Sequence, residues 1–384
     1  MKVGIISMQR VVNYGSFLQA YSLKDIIEKL GNEVEFIDYK VEPPIVEEYV
    51  NNDNEYSNCK ETAAKTSLLK KAARFLWENK NAKSRKLRRY YRAKMYLTKR
   101  YNEEFLPMLG VTKQYRYNLC EDAIVIGSDE VFNCLQANKD VGYSKELFGY
   151  DANSKILISY AASFGTTTYE GLEKYGIAGE VADMLSEFDY ISVRDKNSLS
   201  VVEKLIGDTP DYHVDPVLIN DYDGLIPQSV ALKNYMIVYA YGSRISDEEA
   251  MYINHFAGEN NLKVITLGET NRFEWDHLIV NPFEVLAYFK NASYVVTDTF
   301  HGTVFSIKYS KQFATIIRDS NRQKLSDLLE RFNLTNRQVN DIACLELVLK
   351  SKTDFDSVQK QIIKEKKNSI EYLKKYLGNG QVKK

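Results

Sequence analysis

The chain has 384 residues, more than most single domains hold, so two domains are the first expectation. A hydrophobic content of 44% and a charged content of 27% are ordinary for a globular protein in water, and a net charge of −1 supplies no global field toward nucleic acid or an acidic surface. The 4 cysteines are widely spaced, and the 4 histidines show no HxxxH or HExxH spacing; this argues against a disulfide framework, a zinc site or any other protein-held metal.

Residues 2–7 read as a buried strand rather than a signal peptide, and no apolar run is long enough to span a bilayer, so a soluble, cytoplasmic protein is expected. The loop Val11–Ser16 follows, then a helical pattern from Phe17 to Leu30 closed by Gly31-Asn32, then a strand from Val34 to Tyr39. This β–loop–α–β unit opens a parallel sheet of the doubly wound kind. Its loop holds one glycine, Gly15, and lacks the GxGxxG fingerprint of dinucleotide binding. Asn13, Gly15 and Ser16 either face a ligand across the carboxyl edge of the sheet or make an ordinary strand–helix connection.

Residues 41–62 are polar, contain Pro43-Pro44 and read as an excursion from the core. A basic helical insertion spans roughly 63–104. Between Lys83 and Arg100 it carries Arg85, Lys86, Arg88, Arg89, Arg92, Lys94 and Lys99 with no acid, and Tyr90, Tyr91 and Tyr96 interleave. The preferred reading is a solvated helix packed on one face. A second is peripheral contact with an anionic membrane surface or a lipid-phosphate-linked substrate, which would place the protein at the inner face of the membrane. Nucleic acid is the weakest, because nothing else in the chain supports it.

Four apolar stretches then end in small or polar residues: Asp122–Gly127 before Ser128-Asp129-Glu130, Lys155–Tyr160, Tyr190–Arg194, and Tyr212–Pro216. In an open parallel sheet such ends line one crevice, which is where ligands bind. Arg194 stands out, since a guanidinium at a strand's carboxyl end grips a carboxylate or phosphate bidentately; the competing reading is an ion pair with Asp189 or Asp195. A linker near 220 starts a second α/β series: strands at 235–241, 262–267, 294–296 and 313–317, with helices near 246–260, 282–290 and 319–332. The fold expected is α/β: two Rossmann-like doubly wound domains facing a cleft, spanning 1–219 and 220–340. A helical segment, 341–384, follows.

The stretch Tyr294–Lys308 holds the best candidate for chemistry. A β-branched strand runs into Asp298-Thr299, which can cap the next helix, and His301-Gly302 fall at its first turn. Free N–H groups and the helix dipole favour an anion there, and a histidine moves protons near neutral pH.

Taken together, Asn13–Tyr21, Gly127–Phe132, Ser159–Gly165, Ile191–Asp195, Val214–Pro216 and Asp298–Gly302 resemble the polysaccharide pyruvyl transferase family, in the family's order and over roughly residues 1–335. The resemblance implies a fold like the B-type glycosyltransferases, in which the C-terminal helical segment packs back on the first domain. It also implies phosphoenolpyruvate as co-substrate with no resident cofactor, and a glycan or lipid-linked saccharide as acceptor. The implied product is a pyruvate ketal bridging two sugar hydroxyls. On this reading His301 is the general acid/base and Arg194 the anion clamp. Thr299, Gly302 and Thr303 meet the donor at the helix start, and Asn13, Gly15, Ser16, Asp129 and Glu130 face the acceptor. Members commonly carry Arg-Leu-His where this chain has Thr299-Phe300-His301, and Arg318 or Arg322 is expected to replace the missing cation. A nucleotide-sugar glycosyltransferase of the same architecture and a non-catalytic glycan-binding relative are the alternatives.

Overall fold

Strand β1 (Lys2–Ile6) buries four of its five residues, as expected of a strand covered on both faces of a parallel sheet. It belongs to a computed structural model that describes residues 1–46, 82–117, 120–241, 244–268 and 273–378. The first sheet adds β2 (Glu33–Phe36), β3 (Cys120–Asp129), β4 (Asn153–Ala162), β5 (Ser192–Val193) and β6 (Asp211–Tyr212), in the order β2-β1-β3-β4-β5-β6. The second holds β7 (Tyr235–Tyr239), β8 (Lys263–Leu267), β9 (Asp276–Leu278), β10 (Tyr294–Thr297), β11 (Gln312–Ile316) and β12 (Gln338–Val339), in the order β12-β11-β10-β7-β8-β9. Every pairing is parallel. These are two Rossmann-like domains. Strand order reverses between β1 and β3 in one sheet and between β7 and β10 in the other, and each reversal opens a crevice at the carboxyl ends of the strands.

Alternation along the strands divides the core. Val3, Ile5, Ala123 and Val125 of the first sheet join Tyr235, Ile237, Ile265 and Val295 of the second in one apolar cluster. Ile6, Ile124 and Ile126 face a second cluster, and Met236, Val238 and Val296 a third. The shared cluster docks the domains, with helix α1 (Tyr14–Lys29) at the seam. Phe17 and Tyr21 of α1 meet Phe283 edge-on, with ring centroids 6.0 and 4.9 Å apart, and the Tyr14 hydroxyl donates to the carbonyl of Val280 at 2.7 Å.

Of the expected basic insertion, residues 63–81 lie outside the described residues, as do residues 47–62 of the polar excursion. Helix α2 (Ala82–Arg100) covers the rest, and the chain continues through one wider turn at Tyr101–Phe105. Leu97, Tyr101 and Phe105 are buried in the shared cluster, so this end of the helix packs on one face; Met95 and Tyr96 remain exposed.

The C-terminal return begins later than the expected residue 341. Leu345, Val348 and Leu349 stay with the second domain, in the cluster of Met236 and Ala314, because their apolar side chains complete that face. Helix α8 (Phe355–Leu377) then crosses back. Its Tyr372 hydroxyl donates to the carbonyl of Ser159 on β4 at 2.9 Å, and Tyr376 stacks on Tyr190 with centroids 3.6 Å apart. The helices α3 (Lys196–Ile206), α4 (Asp247–Glu259), α5 (Pro282–Asn291), α6 (Phe300–Lys308) and α7 (Arg322–Arg331) flank the sheets between α2 and α8. Among the described residues, no helix is long and apolar enough to cross a membrane.

Candidate active site

Both crevices open onto one cavity of about 360 Å³ between the domains. The first domain lines it with Asn13 and Ser16 at the start of α1, Asp129 and Glu130 at the end of β3, and Arg194 after β5. The second contributes Tyr241 and Arg244 beyond β7, Asp298 to His301 after β10, and Ser320, Asn321 and Lys324 at the start of α7.

His301 sits in the first turn of α6, and Thr299 caps that helix by accepting from the Gly302 N–H at 3.0 Å. The imidazole Nε2 lies 3.5 Å from Oδ2 of Asp215, a residue fixed by its own cap bond to the Val217 N–H at 3.0 Å. The opposite edge of the ring rests on Gly15, where a Cβ would overlap Nδ1 and Cγ. Gly15 is therefore a requirement of close approach, and it sets the distance between α1 and α6.

Arg194 is 6% exposed. Its Nη1 donates to the same Asp215 Oδ2 at 3.0 Å, its Nη2 lies 3.6 Å from Asp129, and its guanidinium lies 4.1 Å from the centroid of the Phe300 ring. Asp215 and Asp129 thus hold the arginine, rather than Asp189 or Asp195, the partners of the competing reading. Asp189 accepts from the N–H of Leu157, and Asp195 caps α3 through Ser198. Burial works against the Asp215 charge, but His301 and then Arg194 hold this carboxyl below its ordinary range. Asp195, buried among hydroxyls, is pushed up by burial. Nε of Arg194 is buried and without a hydrogen-bond partner, so the site keeps unspent donor capacity.

Asp129 adopts a left-handed backbone with φ of 85°, a conformation that side-chain-bearing residues take at a cost and that concentrates at functional sites. Its carboxylate accepts from Ser16 Oγ at 3.0 Å. Glu130 pairs with Lys324 across the cleft at 2.6 Å. Burial pushes its carboxyl up, but the Lys324 ammonium and the Arg194 charge outweigh it and hold the pKa at about 2.

Several sequence expectations fall elsewhere. Arg318 does not line the cavity: it forks onto Glu249 at 3.1 and 3.0 Å and bonds Asp298 at 2.8 Å, so its donors are committed to the protein. Arg322 projects from the surface and pairs with Asp319 at 3.1 Å. Gly302 and Thr303 are not donors to the cavity either. The Gly302 N–H is taken by Thr299, and the Thr303 N–H and hydroxyl both turn to the Thr299 carbonyl. Arg244 and Lys324 are the cations that accompany Arg194 at the wall, and no spacing in the sequence pointed to either. Asp215 was legible as part of Val214-Asp-Pro216, though not as the partner of both functional side chains. Among the described residues, no group of His, Cys, Asp and Glu has the arrangement of a metal site.

The model of the polysaccharide pyruvyl transferase family matches residues 13–320, a segment that carries His301, Arg194, Asp215 and Asp129. The chain belongs to that family. No curated protein sequence matches this pyruvyl transferase relative. Among solved structures, a UDP-N-acetylglucosamine 2-epimerase is similar at 9% identity over 100% of this chain and 97% of its own, with a TM-score of 0.52. The S. aureus MnaA–UDP structure is 10% identical, with 98% of this chain and 96% of that chain covered and a TM-score of 0.48. An O-GlcNAc transferase mutant from Thermobaculum terrenum is 10% identical, with 98% of this chain covered and a TM-score of 0.44; this chain spans 65% of its length. At such identities the likeness is one of fold.

Proposed function

We propose that this family member transfers a pyruvyl group from phosphoenolpyruvate to two hydroxyls of a sugar in a cell-surface polysaccharide or its lipid-linked precursor. The observation that carries the reading is the convergence of His301 and Arg194 on one carboxylate, Asp215, at the wall of the interdomain cavity.

The donor brings a carboxylate and a phosphate. Arg194 binds one of these through the face not spent on Asp215, and Arg244 and the amino end of α7 supply further positive potential. These groups stand in for the cation that the family commonly has at the position of Thr299. In the reaction, the methylene carbon of the donor gains a proton and becomes a methyl group. One sugar hydroxyl adds to the central carbon and loses its proton. The C–O bond to phosphate breaks with the electron pair leaving on phosphate, and a second hydroxyl adds and loses its proton. The products are a cyclic ketal and inorganic phosphate. His301 moves these protons. Asp215 orients its imidazole from the Nε2 side. Asp129, held by Ser16, accepts from the acceptor hydroxyls.

Thermal unfolding with phosphoenolpyruvate, and separately with UDP-, GDP- and CMP-sugars, tests the donor. A ligand at about 100 times its Kd adds roughly 2.7 kcal/mol, a readable shift. A shift with phosphoenolpyruvate that Arg194→Lys abolishes, together with phosphate release that His301→Asn abolishes, is the expected result. Stabilisation by a nucleotide sugar alone would overturn it in favour of a glycosyltransferase.

A further inference from the structure

The protein as a whole carries a net charge of −1, yet α2 (Ala82–Arg100) holds nine lysines and arginines and no acid. The acids that follow it reach only its last turn: Glu104 binds Arg100 at 2.7 Å, and Glu103 lies 3.8 Å from Lys99. Arg92 and Lys94 are exposed and have no acidic partner among the described residues.

Helical spacing sorts this segment into two sides. Leu97 and Tyr101 are buried in the cluster shared by the domains and fix the inward stripe. On the outward side Tyr91, Met95 and Tyr96 are 38%, 72% and 53% exposed, set among Arg92, Lys94 and Lys99. In the sequence, Arg88 precedes Arg92 by four residues and Arg85 precedes it by seven, the spacings of one helix face.

One exposed apolar side chain is ordinary. Three within one and a half turns, among unpaired cations, match the chemistry of a lipid–water boundary. There a methionine enters the acyl region, tyrosine rings settle at the level of the headgroups, and lysine and arginine meet lipid phosphates. Nucleic acid supplies phosphates but no apolar phase for Met95. The helix also borders the way into the site: Lys94 and Leu97 line a groove that meets the interdomain cavity at Asn13 and Tyr241.

We propose that α2 docks this protein on an anionic lipid surface, lying in the plane of the headgroups with Met95 inserted, so that the groove leading to the interdomain cavity opens beside that surface. The docking is peripheral and electrostatic, and it does not depend on the donor assigned above.

Co-sedimentation of the full chain with vesicles tests this, using phosphatidylcholine alone and phosphatidylcholine with about 30% phosphatidylglycerol. Wild type should bind the anionic vesicles at least about tenfold more tightly than the neutral ones, and added salt should release it. Arg92→Gln combined with Lys94→Gln should weaken that binding by roughly 30-fold, since each cation near a charged bilayer contributes about fivefold. Met95→Ser should weaken it by about fivefold and leave the salt dependence as it was. All three side chains are exposed, so melting temperatures should match wild type and show an intact fold. Equal binding to the two kinds of vesicle, no binding to either, or binding unchanged in either variant would each overturn the proposal. Binding to duplex DNA that exceeds vesicle binding and ignores Met95→Ser would overturn it in favour of nucleic acid.

Discussion

Asp215 holds His301 and Arg194 through one oxygen, Oδ2, at 3.5 Å from the imidazole and 3.0 Å from the guanidinium. A carboxylate in that position orients the ring and neutralises the arginine. Asp215→Asn keeps the shape and removes the charge. Phosphate release from phosphoenolpyruvate should then fall by about 100-fold or more, because the imidazole loses its orienting partner and its protonated form loses stabilisation. Stability should drop by roughly 3 kcal/mol in denaturant titration, since Arg194 is left buried beside a neutral amide. A variant that loses stability but turns over at the wild-type rate would remove Asp215 from the chemistry.

Gly15 carries a separate prediction. A methyl group there overlaps His301 Nδ1, while α1 remains capped by Asn13. Gly15→Ala should therefore move the imidazole rather than unfold the helix. Displacements of about 1 Å at reacting groups cost on the order of 100-fold in rate. Turnover should fall by that order with only a small change in melting temperature. Wild-type turnover would show that the ring at Gly15 is not the one that works.

Much of this architecture was legible because β-branched runs and helix caps leave periodic marks. The strand before His301, the cap at Thr299 and the crevice position of Asp129 and Arg194 all follow from such marks. What was not legible depends on three-dimensional pairing. Arg318 looks like a replacement donor cation in sequence, yet Glu249, distant in the chain, takes its fork. Lys324 lies on α7 like any surface lysine, and only the docking of the domains brings it 2.6 Å from Glu130. Gly302 and Thr303 were placed at the right helix start but on its inward face, because the Thr299 cap consumes their N–H groups.

The Glu130–Lys324 pair joins the domains across the cavity, with side chains 23% and 22% exposed. Lys324→Met leaves Glu130 among Asn133 and Arg194 without its closest cation, and the fold should lose about 2 kcal/mol. Glu130→Gln combined with Lys324→Met should be less damaging than the sum of the two single changes, with a coupling of roughly 1–3 kcal/mol in a double-mutant cycle. Strict additivity would mean that the pair makes no net contact in solution.

His213 predicts how the fold responds to acid. It is buried between Tyr160 and Tyr372 and shares a 2.7 Å hydrogen bond with Ser192. Burial, with Arg331 adding to it, lowers the imidazole pKa to about 4, while in the unfolded chain it returns to about 6.5. Between those values the unfolded state binds the extra proton. Stability from this group is therefore fully present above pH about 6.5 and drains away as the pH falls toward 4, by up to about 3 kcal/mol. His213→Phe keeps an aromatic ring in the stack and removes the titration. Its free energy of unfolding should decline less than wild type across that window. Parallel profiles for the two proteins would show that His213 is not the group that senses acid.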